Sequence, residues 1–351
     1  MAEIARPAKN VTIADVAARS GVSPAAVSRV FNSRGGISVA TEARIRKVAD
    51  ELGWTRSSAA VALRSSKTMA VGLILNTAIT GPDVLPMPPQ VLLGIEEVIA
   101  KRGYGLLLYV FSDDPEEEIQ AYKRLAADKR VDGLLMTGAR MEDSRFRLLE
   151  ELGLPAVLIG PTPPGVVFPH VENDPPGAGI DECVRHLLEL GHRRIAYIGG
   201  PLTRVQPKIR ADAFLEAIAS VRLKPVVTVS TDYTTDAAIS ATEHAMMQSE
   251  TPTAFVYGSD LMAMAGMHYL RGTGIEVPRD ISVVGFDDQR LAEYMNPGLT
   301  TVARNSSQRG ANAATELLRI LGVDLPDPGP LDAPRLVVRG SSGPAPDLQG
   351  G

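Results

Sequence analysis

At 351 residues, 44% hydrophobic and 22% charged, the chain is too long for one ordinary core and suits two or three globular domains. No apolar run approaches a membrane span, no secretory h-region follows Arg6 and Lys9, and the single Cys183 excludes an intramolecular disulfide, so the expected compartment is the cytoplasm. The net charge of −5 is unevenly divided: residues 1–68 hold 11 Lys and Arg against 5 Asp and Glu, net +6, and the remainder carries −11, the pattern of a basic head for a polyanion on an acidic body.

The first predicted elements lie in residues 1–55. Thr12 and Asp15 have the spacing of a capping box, and Ile13, Val16 and Ala17 form the apolar stripe of a short helix. Gly21 supplies the left-handed break that ends it. Ser23 caps a second helix with Pro24 at its first position, and Val27, Val30 and Phe31 form its stripe. A third helix follows Ser38, with Ile45, Val48, Ala49 and Leu52 at helical spacing. Two short helices around a tight turn, closed by a third, are the helix-turn-helix signature. The second helix would enter the major groove and present Ser23, Pro24, Ala25, Ser28 and Arg29. Arg29 can bond guanine bidentately, whereas Pro24 and Ala25 offer only apolar contact. Thr12, Asn32 and Ser38 are short polar groups placed to reach phosphates.

The run Val11 to Asn32, followed by RIRKVADELGW (44–54), resembles the head of the lactose-repressor family of bacterial regulators, and the resemblance continues to about Gly340. It implies a hinge over 56–68. Ser57 can cap a helix of about two turns from Ser58 to Leu63, too short to be stable alone. In the family such helices pair on the operator and a leucine wedges into a minor-groove base step, and Leu63 matches that leucine. The chain departs from the family at Val61, usually Arg, and at Arg56-Ser57, commonly Pro-Asn.

From 69 to 340 short apolar runs alternate with amphipathic helices. AVGLILN (70–76), GLLLYVF (105–111), VDGLLMTG (131–138) and PAVLIG (155–160) form one series of predicted strands. IAYIGG (195–200), VVTVS (226–230), AFVYGS (254–259) and ISVVGF (281–286) form another. Two series predict an all-α head followed by an α/β core of two doubly wound parallel-sheet subdomains, with ligand sites beyond the carboxyl ends of the strands. The resemblance implies the periplasmic-sugar-binding-protein fold. Its N-subdomain would span about 69–170 and 305–330, and its C-subdomain about 171–304 and 331–340. The chain would cross between them near 168–173, 302–306 and 328–334. The tail 341–351, SSGPAPDLQGG, is expected to be disordered and lacks the leucine heptads of a tetramerisation coil.

Arg210 matches the arginine of the family's Arg-x-x-Gly ligand motif, with Ala213 in place of the glycine. Asp287 ends the strand ISVVGF, where a carboxylate can accept two hydroxyl hydrogens. An ion pair across the cleft is the competing reading of both. Ser259 departs from the family's Asn at a ligand-contacting position, Asp260 reads as a helix cap, and Gln206 and Arg304 join the ligand set by position. The segment TAITGPDVLPMPPQ replaces an Asn-Pro-Phe-Phe-like effector segment of the family, and Gly160 stands where some members have a sugar-bonding acid. The ligand expected is polar and hydroxyl-bearing, a sugar or sugar derivative.

No G-x-G-x-x-G follows a strand, no Walker loop or G-x-S-x-G elbow occurs, and the five histidines have no metal spacing, so neither catalysis nor a cofactor is expected. His192 reads as structural. The expected function is a transcription regulator, a repressor acting as a homodimer on inverted-repeat operator DNA under ligand control. The rival reading, an exported sugar-binding protein of a transporter, is disfavoured by the basic head and the lack of a signal segment.

Overall fold

The computed structural model describes residues 11–31, 36–54, 67–76, 87–111, 115–172, 175 and 177–346, and the chain divides after Thr68 into two compact units. Asn32, Leu63 and the expected hinge helix lie outside the described residues.

The first unit contains α1 (Ile13–Ser20), α2 (Pro24–Phe31) and α3 (Val39–Glu51). The capping box is reciprocal: the Thr12 amide donates to Asp15 at 2.8 Å and the Asp15 amide donates to the Thr12 hydroxyl at 3.4 Å. Gly21 takes φ 64°, and the Val22 amide then closes back on the Ala17 carbonyl at 3.0 Å. Val16, Ala17, Val27, Val30, Ile45, Val48 and Ala49 form the core, with Phe31 and Trp54 edge-on at 4.9 Å. At about 1.5–3 kcal/mol per large apolar side chain this core is small, so the caps carry a meaningful share of the unit's stability.

The second unit contains two sheets. The first comprises β1 (Ala70–Asn76), β2 (Gly105–Phe111), β3 (Gly133–Thr137), β4 (Ala156–Ile159) and β5 (His170–Val171), all parallel, in the order β2-β1-β3-β4-β5. Its own helices are α4 (Pro89–Ala100), α5 (Pro115–Ala127) and α6 (Arg145–Glu151). The second comprises β6 (Ile195–Gly199), β7 (Thr228–Ser230), β8 (Ala254–Tyr257), β9 (Ser282–Asp287), β10 (Thr300–Ala303) and β11 (Arg335–Val337), in the order β11-β10-β9-β8-β6-β7. Only β11 is antiparallel to its neighbour. The helices are α7 (Ile180–Glu189), α8 (Val205–Ser220), α9 (Thr235–Met246), α10 (Asp260–Gly272), α11 (Arg290–Tyr294) and α12 (Ser306–Ile320).

Helix α12 follows a strand of the second sheet yet packs on the first. Leu317 and Leu318 are buried with Val71, Ile95 and Leu135. Two glycines permit its close approach to α4: a Cβ at Gly94 would meet the Ser307 carbonyl at 1.9 Å, and one at Gly310 the Val91 carbonyl at 2.1 Å. The chain thus leaves the first sheet after β5, returns to it through α12, and enters the second again at β11. These three passages are the connections between subdomains that the cleft needs.

The end of the chain corrects the expectation of a disordered tail from 341. Ser341 is fully buried and accepts from the Thr300 amide at 2.8 Å, and the Ala345 amide bonds the Leu190 carbonyl at 2.8 Å. His192 is equally buried and bridges Thr253 and Ser282 to the Gly343 carbonyl, each within 3.0 Å. Small residues fit a narrow crevice and satisfy its polar groups, an order that low hydrophobicity conceals. No helix among the described residues is long and apolar enough to cross a membrane.

Candidate ligand cleft and nucleic-acid interface

In the first unit Ser23, Pro24, Ala25 and Arg29 are exposed at the start and along the outer side of α2, while Val27 and Val30 face the core and Ser28 is half-buried. Thr12, Ser23 and Ser38 are exposed and each caps a helix: Ser23 accepts from the Ala26 amide at 3.2 Å and Ser38 from the Thr41 amide at 3.3 Å. Thr12 and Ser38, expected at phosphates, and Ser23, expected at the groove, thus stand at the three helix N-termini, whose amides and dipoles favour anions. Arg46 is engaged locally, at 2.7 Å from Glu42 and over the Phe31 ring, and so belongs to the head's packing.

In the second unit a cavity of about 170 Å³ opens where the carboxyl ends of β3, β4, β8, β9 and β10 converge, lined by Thr137, Ile159, Ser259, Asp287 and Arg304 among others. It is an order of magnitude larger than the space a single water needs. All five residues expected to bind ligand line it: Arg210, Asp287, Ser259, Gln206 and Arg304. Arg210, on α8, is buried, donates to the Gly258 carbonyl at 2.6 Å and lies 3.9 Å over the Phe286 ring. Its guanidinium reaches Asp287 at 3.6 Å, so the ion pair weighed against ligand contact does exist, and both side chains still border the cavity. Asp287 and Asp288 have φ of 117° and 50°, strain that only a constrained site retains. Asp288 is held by Arg339 at 2.7 Å.

Ser259 caps α10, its hydroxyl accepting from the Met262 amide at 3.3 Å. Asp260 is not that cap. It is fully buried beneath the cleft, takes the Gln289 amide at 2.6 Å and bonds the Thr301 hydroxyl. Burial, with Asp287 nearby, pushes its carboxyl up to about 7.

Glu172, Arg309, Arg204 and Tyr233 were missed by sequence reasoning. Glu172 follows β5 at the first passage and receives Arg309 at 2.6 Å and 3.0 Å and Arg304 at 3.3 Å. The Gln206 amide lies 2.9 Å and 3.2 Å from the Arg304 guanidinium, whose donors it satisfies when its oxygen is the atom turned toward them. Arg204 precedes α8 and donates to the Gly138 carbonyl at 2.7 Å, where the loop after β3 also meets the second subdomain through the Met141 amide and Thr203 carbonyl at 2.8 Å. That loop rests on a buried charge cluster in which Arg145 lies 2.6 Å from Asp143 and 3.2 Å from Glu118. The available signal was position: each missed arginine follows a strand end or a crossing.

A helix-turn-helix unit on the same chain as a two-sheet cleft defines a ligand-responsive DNA-binding regulator. Residues 12–57 match the model of bacterial regulatory proteins of the lacI family, and residues 184–342 match the periplasmic binding protein-like domain. The HTH-type transcriptional repressor PurR of Aliivibrio fischeri (strain MJ11) is 32% identical over 88% of this chain and 90% of its own length. The HTH-type transcriptional regulator CelR of Thermobifida fusca is 31% identical over 89% and 92%. The structure of a transcriptional regulator CelR–cellobiose complex matches with a TM-score of 0.70 and 30% identity, over 95% of this chain and 100% of that one. The chain belongs to the lacI family of bacterial regulatory proteins.

Proposed function

We propose that this chain is a cytoplasmic, non-catalytic repressor that binds an inverted-repeat operator as a homodimer and is switched by a small hydroxylated ligand, a sugar or sugar derivative. One head contacts only a few base pairs, so useful specificity needs two heads related by a two-fold axis. The second copy has an apolar surface to meet on the edge strand β2, where Leu107, Leu108 and Val110 are exposed.

The observation that carries the reading is the set of cavity side chains, Arg210, Asp287, Gln206 and Arg304, gathered at the ends of strands on a chain that also carries the basic head. A guanidinium and a carboxylate match the acceptor and donor sides of vicinal hydroxyls. The cavity draws on both subdomains, so a ligand there favours whichever arrangement it contacts better. Coupling of roughly 1–3 kcal/mol between cleft and operator would suffice for control. The cellobiose in the similar CelR complex supports the sugar class.

The test is selection of duplexes from a random DNA pool with the full chain, followed by gel shift with the selected sequence across a panel of sugars and nucleosides. An inverted repeat, with an affinity that one of the compounds changes, is expected. Recovery of no preferred sequence overturns the regulator reading.

A further inference from the structure

Two segments from different subdomains meet edge to edge at one wall of the cleft. Arg140, in the loop after β3, and Arg204, in the turn before α8, are opposed in an antiparallel bridge. The Met141 amide donates to the Thr203 carbonyl at 2.8 Å, and the Val205 amide donates to the Ala139 carbonyl at 2.9 Å. Each of these backbone bonds joins one subdomain to the other. The Val205 side chain extends the contact: it is 1% exposed and lies in the apolar cluster of Ala139, Phe146 and Phe168, which belongs to the first subdomain. The Gly138 carbonyl accepts a guanidinium from each side, Arg204 at 2.7 Å and Arg145 at 3.0 Å.

The loop's half of the bridge is held from within its own subdomain. Arg145 lies 2.6 Å from Asp143, whose carboxylate also takes the Arg140 amide at 3.0 Å, and the Arg140 side chain reaches Glu118 at 2.7 Å. This buried, satisfied network fixes the edge that the second subdomain meets. Sheet order then sets the bridge apart from the three passages. The passages attach at β5, β10 and β11; β4 stands between β3 and β5, and β8 and β9 stand between β6 and β10. The cavity is bordered by Gly138, Ala139 and Arg204 at the bridge and by Arg304, Ser306 and Arg309 at the passages. A rotation about the passages that opens the cleft must therefore part the bridge.

We propose that residues 139–141 and 203–205 form a clasp that fastens the two subdomains across the cavity from the passages, and that parting this clasp is the step that opens the cleft to exchange ligand. Both halves of the clasp are protein, so closure draws on bonds that do not involve a ligand, and a ligand's own contacts add to them. The proposal rests on the reading of the cleft as the regulator's ligand site for what the opening serves, and it specifies what controls that opening.

Hydrogen exchange of the full chain, read by mass spectrometry without added ligand, follows the opening. Two variants act on the clasp in opposite directions. Val205→Pro deletes the amide that bonds Ala139. The first position of a helix accepts proline, and Arg204 already has the extended backbone, φ −104° and ψ 142°, that a residue before proline takes. Arg140→Cys combined with Arg204→Cys can be locked by oxidation. Opposed residues in such a non-hydrogen-bonded pair have Cα atoms about 4.5 Å apart, within the reach of a disulfide, and Cys183 is too deeply buried to compete.

One reporter is the Met141 amide in the clasp. The other is the amides of 259–261, at the cavity wall of the second subdomain, where a helix start has no carbonyl of its own to bond them. Both should exchange about tenfold faster or more in Val205→Pro than in the parent, and about tenfold slower or more in the oxidised double variant than in its reduced form, with α9 unchanged throughout. Parental exchange at 259–261 in Val205→Pro, or equal exchange before and after oxidation, overturns the proposal. Failure of the two cysteines to form a disulfide overturns it too, because the segments are then not apposed. If Val205→Pro does not fold, the oxidised and reduced forms decide alone. Gel shift with the selected operator on the same samples separates the two readings: clasp-controlled exchange in a chain without operator preference upholds the clasp and removes the regulator reading.

Discussion

Glu172 and Arg309 are joined fork to fork, at 2.6 Å and 3.0 Å, across two of the three passages between the subdomains. Glu172 directly follows the last strand of the first sheet, and Arg309 lies on the helix that brings the chain back to it. The pair is nearly dry, at 8% and 6% exposure, so breaking it removes charge compensation that water is not at hand to replace.

Glu172→Gln should therefore destabilise the second unit by about 3 kcal/mol or more, because Arg304 and Arg309 would remain buried beside a neutral amide. The corresponding fall in Tm is roughly 6–12 °C for a unit of this size. Calorimetric unfolding of variant and parent without ligand measures it. A fall below about 2 °C would show that the pair is not structural.

Arg210→Ala and Asp287→Ala should each weaken binding of the ligand found by screening by about 2–3 kcal/mol, since either truncation leaves a buried partner group unsatisfied. Ligand-free operator affinity should stay within about threefold of the parent, as neither residue belongs to the head. Isothermal titration with the ligand and gel shift with the operator, run in parallel, separate the two effects. Unchanged ligand binding in both variants refutes the site.

The buried Asp260 carboxyl gives a pH signature. Its folded value, about 7, lies above the ordinary carboxylate value, so the unfolded chain releases this proton first as pH rises. Stability contributed at this position is full at about pH 4, falls by up to roughly 1.4 kcal/mol per pH unit toward pH 7, and is flat above it. Asp143, whose carboxyl lies below the ordinary value, slopes the opposite way and Asp287, which burial pushes up, slopes the same way, so the difference between parent and Asp260→Asn is the informative quantity. Urea unfolding at five pH values between about 4.5 and 8.5 tests it, and parallel curves would contradict the assignment.

Arg29→Ala should cost about 1–3 kcal/mol of operator affinity and relax the base preference at one position of each half-site. The side chain is exposed on α2, whose opposite side is buried by Val27 and Val30, so the fold of the head should survive. Circular dichroism and selection from a randomised operator check both halves of the statement. A uniform loss over all sequences would make Arg29 a phosphate contact.

Leu63→Ala tests the wedge implied by the family resemblance. The variant should lose operator affinity and DNA bending together, while ligand binding remains at the parental level. Circular-permutation gel shift reads the bend. Parental bending in the variant removes the intercalation model.

Much of this protein was determined by short-range chemistry and was therefore legible in the sequence. The Thr12–Asp15 box, the Gly21 break and the Val16, Val27, Ile45 stripes act within one or two turns, and the structure places all of them as the spacing requires. The buried strands announce themselves as short apolar runs, and Ser259, Asp287 and Arg304 stand at or just after strand ends, with Arg210 on the helix that follows β6. Only the tertiary structure decided that Arg210 pairs with Asp287, that Glu172 compensates arginines more than 130 residues away, and that Asp260 is a buried strut beneath the cleft. The same holds for the order of residues 341–346, whose small side chains carry no periodic signal but satisfy His192 and the first residues of β9 and β10. Periodicity records which face of an element is buried, whereas charge compensation and crevice filling depend on which distant elements meet. That meeting is set by sheet order and by the return of α12 to the first sheet.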